Sequence, residues 1–399
     1  MTIRISLAPV LLTAAVATAG DWPQFRGPNG SGVSDETRLP TTWGPKDNVK
    51  WKADVPGRSA ASPVVYGNRV YVTAASGPLM DRLHALCLDA ETGKVLWHRQ
   101  MTATGNTACH PKSSMAAPTP CVNADGVYCL YATADLAAFD HDGNLKWYRS
   151  LVTDYPDISN QVGMGSSPIL WKDFLLVPMD TVGDSFLAAI DTKYGKNVWK
   201  VDRPKDTNWV TPTLRQTSDR AEIVFATAKD TVAYNAADGK KLWTNPGAAM
   251  VPTAITVDDT LIMPGKGGMV RFQPDGAKEL WKSAKLSTGY TTPIVYKDRV
   301  YALRGVTLTC ADLQTGKEVW PEPERVTQGK GQMWASPVAG DGKVYTFDDT
   351  GLCKVFAAGD QPKVLATNDM KEEILGTPAI AHGSLYIQTV KAVYCIKGK

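Results

Sequence analysis

The residues best equipped to bind or react in this 399-residue sequence stand just ahead of a recurring proline. They are Arg58, His110, Lys112, Asn160, Gln161, Asn208, Trp209, Tyr290, Gln332, Trp334 and Glu373. Together they form an inventory for holding a ligand. Trp209, Trp334 and Tyr290 offer stacking faces, Arg58 and Lys112 can meet carboxylates, and the amides and Glu373 supply oxygens. His110 lies in the longest interval between prolines, within Cys109-His110-Pro111-Lys112-Ser113-Ser114-Met115, and residues 154–161 form a second insertion. Long loops on a rigid frame are favoured places for binding groups.

Other chemistries find less support. The five histidines, at 84, 98, 110, 141 and 382, show no ligand spacing, and no CxxC pair or His-Cys cluster suggests zinc, so no metal ligands are assigned. Gly265-Lys266-Gly267-Gly268 reads as a turn between strands, since no helical period follows it. Cys87 and Cys310, each two residues before an aspartate, read as buried strand positions. Should any of the seven cysteines pair, Cys109 with Cys121 or Cys129 is the expected bridge. With 43 Lys+Arg against 40 Asp+Glu, the chain lacks the basic excess that nucleic acid or anionic lipid would require.

Residues 1–19 read as a cleavable leader, with Arg4, an apolar run from Ile5 to Ala17, and small residues at Ala17-Thr18-Ala19. No cysteine near that point suggests a lipid anchor, and no other segment is apolar enough to span a membrane. The expectation is a periplasmic or secreted monomer whose partner is a ligand or an envelope protein.

The elements that must position the candidates come from an internal repeat. Units open at Pro63, Pro118, Pro168, Pro212, Pro252, Pro293, Pro337 and Pro378, each followed by two alternating β-rich runs. A glycine turn then leads to a tryptophan, as in Gly93 to Trp97, Gly143 to Trp147, Gly195 to Trp199, Gly239 to Trp243, Gly276 to Trp281 and Gly316 to Trp320. Glycine relieves the positive φ of a tight turn, and the indole fills the space between adjacent sheets, so these tryptophans are read as structural wedges. The last unit lacks a strand and a tryptophan, and residues 48–55 supply both, including Trp51. This split repeat predicts an all-β, eight-bladed β-propeller of four-stranded antiparallel blades, closed by pairing of its N- and C-terminal strands. Residues 20–47 then form an extension and 48–399 the propeller. Blade 7, lacking its tryptophan, is the expected irregular one.

The pattern Ser/Thr-Pro, two strands, Ala-x-Asp-x-x-Thr-Gly-Lys-x-x-Trp resembles the pyrroloquinoline-quinone (PQQ)-like repeat of quinoprotein dehydrogenases and of the barrel-assembly lipoprotein, over residues 48–399. The opening Asp21-Trp22-Pro23-Gln24-Phe25-Arg26-Gly27 is similar to the start of exported members. The resemblance implies two functions besides simple binding. One is a PQQ- and Ca²⁺-dependent alcohol dehydrogenase, and the other a scaffold for outer-membrane protein assembly. The sequence departs from the dehydrogenases in having no adjacent cysteine pair, no CxxCH haem motif and little length beyond the blades. The leading expectation is therefore a non-catalytic binding or scaffold protein whose Trp209 and Trp334 are packed on both faces.

Overall fold

The computed structural model describes residues 20–398 apart from 160–161, 228, 247–250, 266 and 275–277. The leader, Asn160, Gln161, Met250 and Gly276 thus lie outside the described residues. Eight four-stranded antiparallel sheets stand in a ring. Blades 1 to 7 comprise residues 64–102, 121–150, 169–202, 213–246, 255–283, 294–325 and 338–369. Blade 8 takes three strands from 379–397 and its outermost strand from Val49–Asp54, with Trp51 opposite Cys395 and Asp54 opposite Ala392. The expected closure is present.

Middle strands are apolar on both faces because each sheet is sandwiched between neighbours. Val70 to Ala75 and Leu83 to Leu88 of blade 1 are buried throughout. The outer strand Val95–Thr102 is largely exposed, with Trp97 pointing inward. Each wedge indole docks on the following blade. In all but one the Nε1–H donates to a carbonyl there, as from Trp51 to Ala90 at 2.9 Å, from Trp97 to His141 at 2.9 Å, and from Trp281 to Leu313 at 2.8 Å, whereas Trp243 donates to the Glu222 carboxylate of its own blade at 3.1 Å. The turn glycine serves the preceding blade as well as its own. A Cβ on Gly93, Gly143, Gly195 or Gly316 would stand 2.6 Å from the indole of Trp51, Trp97, Trp147 or Trp281.

Blade 7 is regular, contrary to expectation, and carries the seven-residue outer strand Lys363–Asp369. Its wedge comes from elsewhere. Tyr345, Val355 and Ala366 lie side by side, where blade 1 has Tyr71, Cys87 and Trp97. Over the small Ala366, Trp43 of the N-terminal extension packs on Tyr345 with centroids 6.3 Å apart. The Trp43 amide donates to Asn368 of the outer strand. The curtailed outer strand belongs instead to blade 6, where Pro321 and Pro323 remove ladder donors after Trp320, so that the pairing is interrupted between an isolated bridge at Glu318 and the two-residue strand Glu324–Arg325.

The repeat register also differs from the proline count at two positions. In every blade a Ser or Thr stands two residues before the innermost strand: Ser62, Thr119, Ser167, Thr211, Thr253, Thr292, Ser336 and Thr377. Blades 2 and 5 therefore open at Thr119-Pro120 and Thr253-Ala254, and Pro118 and Pro252 lie just upstream. The hydroxyl is the repeating requirement because it links blades. The amides of Ser62, Thr119, Ser167, Thr253, Thr292 and Ser336 each donate to the hydroxyl of the next blade at 2.9–3.0 Å.

All seven cysteines are free thiols. Cys121 and Cys129 are buried in blade 2, and Cys109 packs toward Gly163, which accounts for the missing bridge. Cys87 and Cys310 are buried strand residues, as expected.

The histidines are less scattered than their numbering suggests. His84, 2% exposed on blade 1, sits with Nδ1 3.0 Å from His98 Nε2 and Nε2 2.8 Å from Ser76 Oγ. Burial, with the nearby His98 and Arg82 charges, lowers the His84 pKa from 6.5 to about 4. The unfolded chain therefore takes up this proton near 6.5 and the native protein only near 4. Stability from neutral His84 is complete above pH 6.5 and declines as pH falls toward 4, by roughly 3 kcal/mol at the limit. Denaturation midpoints measured across that window should fall for the wild type and be flatter for His84→Gln. Equal slopes would mean that His84 does not titrate differently on folding.

Candidate functional site

The innermost strands place two layers of side chains around the propeller axis. The Ser/Thr ring is the deeper layer. Two residues earlier in each blade stand Ala60, Ala117, Gly165, Trp209, Val251, Tyr290, Trp334 and Leu375, the upper layer at the channel mouth. Small residues on blades 1 to 3 and large ones on blades 4 to 8 make this layer lopsided. The result is a cavity of about 330 Å³, open to solvent on one side, walled by the upper layer and by seven members of the ring.

The aromatic wall is partly pre-assembled. Tyr290 stacks on Trp334 with centroids 4.5 Å apart and planes 14° apart, while 55% of Tyr290 remains exposed. His110 approaches Trp334 at 5.9 Å from another direction. Trp209 is oriented by its Nε1–H, which donates to the Gly163 carbonyl at 2.9 Å. Both indoles line the open cavity, so the expectation that they would be packed on both faces is corrected. The physical reason is the run of small residues opposite them: Ala60, Ala117 and Gly165 cannot fill the mouth.

The insertion before blade 2 reaches over blade 1 to the far side of the mouth. Arg58 anchors it, donating to the carbonyls of Ser113 at 3.1 Å and Pro111 at 2.9 Å. Lys112 then forms ion pairs with Asp349 of blade 7 at 2.9 Å and Glu373 ahead of blade 8 at 2.6 Å. Glu373 also meets Arg58 at 3.2 Å. These bonds hold the Lys112 pKa above the ordinary lysine value, with Glu373 the larger cause. The cluster contains two cations and two carboxylates, and Lys112 is the cation that also lines the cavity.

Of the residues singled out from the sequence, His110, Lys112, Trp209, Tyr290 and Trp334 converge on the cavity. Arg58 and Glu373 join them through the ion-pair cluster. Two do not converge. Asn208 is buried, donating to Asp180 at 3.0 Å and to the Ala226 carbonyl, and Gln332 is exposed beside Asp349. Asn160 and Gln161 lie outside the described residues. Sequence reasoning missed the small upper-layer residues, Asp349, and Phe25, which lines the cavity from the N-terminal extension. Aligning the units on Ser/Thr rather than on proline would have exposed the upper layer as the position two residues earlier. Nothing local marked Phe25.

Eight four-stranded blades, interlocked by Trp-on-Gly docking and by a ring of hydroxyls, define a propeller of PQQ-like repeats. The chain belongs to the family described as outer membrane protein assembly factor BamB, which it matches over residues 34–177 and 183–399. Among curated proteins, a polyvinylalcohol dehydrogenase of a Pseudomonas species is 25% identical over 173 residues, covering 39% of this chain and 25% of that protein. The polyvinylalcohol dehydrogenase of Sphingopyxis sp. strain 113P3 is 23% identical over 253 residues, 55% of this chain and 37% of its own length. The match thus spans well under half of either relative. Two solved structures share the fold. BamB from Moraxella catarrhalis has a TM-score of 0.63 at 14% identity, covering 87% of this chain and 97% of its own. Quinohemoprotein alcohol dehydrogenase from Comamonas testosteroni has a TM-score of 0.72 at 11% identity, covering 96% and 82%. Among the described residues no helix is long and apolar enough to cross a membrane.

Proposed function

We propose that this is an exported, non-catalytic binding protein that holds a flat, acid-bearing ligand in the mouth cavity. The observation that carries the reading is the convergence of Trp209, the Tyr290–Trp334 stack and Lys112 on one open, solvent-reachable cavity. Such a wall can stack a ring, and Lys112 can meet its acid group by exchanging one of its two carboxylate partners.

A quinoprotein dehydrogenase is the second reading, supported by the same indoles and by the dehydrogenases among the relatives. There PQQ would lie against Trp209 or Trp334 and supply the redox chemistry. The residues present do not suit the Ca²⁺ that would accompany it. Asp349 and Glu373 are already neutralised by Lys112 and Arg58, and among the described residues no group of three or more His, Cys, Asp or Glu could hold a metal. Ca²⁺ takes about six to eight oxygens. A scaffold role toward an envelope protein draws on the family description and leaves the cavity without a task.

The test is calorimetry and tryptophan quenching with PQQ and with aryl carboxylates, each with and without Ca²⁺. Saturable binding that needs no Ca²⁺ is expected, weakened on the order of tenfold by Trp209→Ala, in line with ~1–1.5 kcal/mol for an aromatic contact. Ca²⁺-dependent PQQ binding with alcohol oxidation would restore the dehydrogenase reading. Binding of none of these would leave the scaffold role.

A further inference from the structure

The N-terminal segment opening with Trp22 crosses the propeller axis on the side opposite the mouth. Innermost strands present an edge of N–H and C=O groups to the channel that no neighbouring strand pairs, and the segment bonds to several of them. The Trp22 amide donates to the Val65 carbonyl at 2.8 Å and its carbonyl accepts from Val65 at 2.9 Å. Pro23 accepts from Val122, and on the other side Gly32 and Ser34 bond to Ala339. Val65, Val122 and Ala339 each lie three residues past the hydroxyl of their blade, which puts the segment beyond the ring as seen from the mouth.

Between these contacts the segment is tied by Arg26, which is fully buried. Its guanidinium donates within the segment to the carbonyls of Gly30 at 2.9 Å and Ser31 at 2.8 Å. Across the channel it donates to Thr292 at 2.9 Å and Pro293 at 2.7 Å. Burial lowers its pKa to about 9, so it remains a cation at neutral pH, held by carbonyl dipoles, with no carboxylate bonded to it among the described residues. The next residue must be glycine. Gly27 has φ 71°, and a Cβ there would stand 2.5 Å from the Trp22 indole, which is itself completely buried. Thus Trp22, Arg26 and Gly27 form one compact knot, and the side chain left over, Phe25, lines the mouth cavity together with ring residues from blades 2 to 8.

We propose that residues 21–32 are an intramolecular stopper that turns the channel into a one-ended cavity, and that Phe25 is its floor and sets how deep a ligand can sit. The inference rests on reading the mouth cavity as a binding site. A bulky residue at 25 admits only short ligands between Trp209 and the Tyr290–Trp334 stack. A small one frees the space inside the hydroxyl ring. Removing Phe25 does not loosen the knot, because Arg26 and Trp22 make the anchoring bonds.

Two measurements test this on the full-length mature protein. In the first, affinities for benzoate and anthracene-2-carboxylate are compared across the wild type, Phe25→Ala and Phe25→Trp. The preference for the longer acid should rise about tenfold in Phe25→Ala and fall in Phe25→Trp. A ratio unchanged in all three overturns the proposal. In the second, a crystal structure of Phe25→Ala should show the mouth cavity extended along the axis, with Trp22 and Arg26 in place. A cavity of unchanged depth, or one that opens through to the far face, also overturns it. If neither acid binds any of the three proteins while the cavity deepens as expected, the binding reading fails and the stopper stands.

Discussion

A protein lacking residues 20–54 is expected to lose its soluble, closed form. The deletion removes Val49–Asp54, whose five pairings with blade 8 cover the outer edge of that sheet, and it removes Trp51, whose indole spans to Ala90 of blade 1. The C-terminal strand Ala392–Lys397 would become an exposed, apolar edge, since Ala392 through Ile396 are all buried in the intact protein. Such an edge is a template for pairing with other chains. Blade 7 would lose Trp43 from its Tyr345 face, and the channel would lose Arg26 and Trp22. Sedimentation and light scattering should show aggregates at concentrations where the protein that keeps residues 20–54 stays dispersed. A truncated protein as soluble and thermostable as its parent would show that closure does not depend on this strand.

Trp281→Ala should cost about 3–5 kcal/mol, the range for removing a buried indole that the surroundings cannot replace. Trp281 is 7% exposed, donates to Leu313 of blade 6 at 2.8 Å, and lies over Gly316, so its loss opens a void between two sheets and leaves the Leu313 carbonyl with only the Arg271 guanidinium as donor. Trp199, which is only half-buried, should cost less. Gly316→Ala attacks the same joint from the other side. Its φ is 66°, and the added methyl would stand 2.6 Å from the indole. Denaturant midpoints of the three variants should rank accordingly. An unchanged midpoint for Trp281→Ala would refute the wedge role, since a ligand-stacking tryptophan would lower affinity and leave stability alone.

The repeat made the propeller legible, because each blade is specified by local rules and the same rules recur. Gly316 to Trp320 looks like Gly93 to Trp97 since both must place an indole on a neighbouring sheet. Where a local rule was satisfied from a distance, the sequence misled. Ala366 in place of a tryptophan suggested an irregular blade 7, yet Trp43, more than three hundred residues away in the chain, fills that position. Pro118 and Pro252 looked like repeat openings because proline was taken as the marker. The hydroxyl two residues before the strand is what the inter-blade hydrogen bonds require.

The site was legible in kind and only partly in membership. Residues ahead of the innermost strands must gather at one mouth, and five of the candidates, His110, Lys112, Trp209, Tyr290 and Trp334, do line the cavity. Asn208 was the wrong half of its pair, because side chains of successive residues in extended chain point to opposite sides. Trp209 faces the cavity, and Asn208 turns back to Asp180.

By itself, the sequence determined the number of blades, the closing strand and the mouth as the place where candidates meet, since these follow from period, alternation and turn chemistry within some forty to fifty residues. Only the tertiary structure decided that the mouth is open rather than packed, that Lys112 is shared by Asp349 and Glu373, and that the far end is stoppered by Arg26 and Phe25. Those features depend on the summed sizes of eight side chains around one axis and on contacts between residues up to 267 apart in the chain, which no local pattern records.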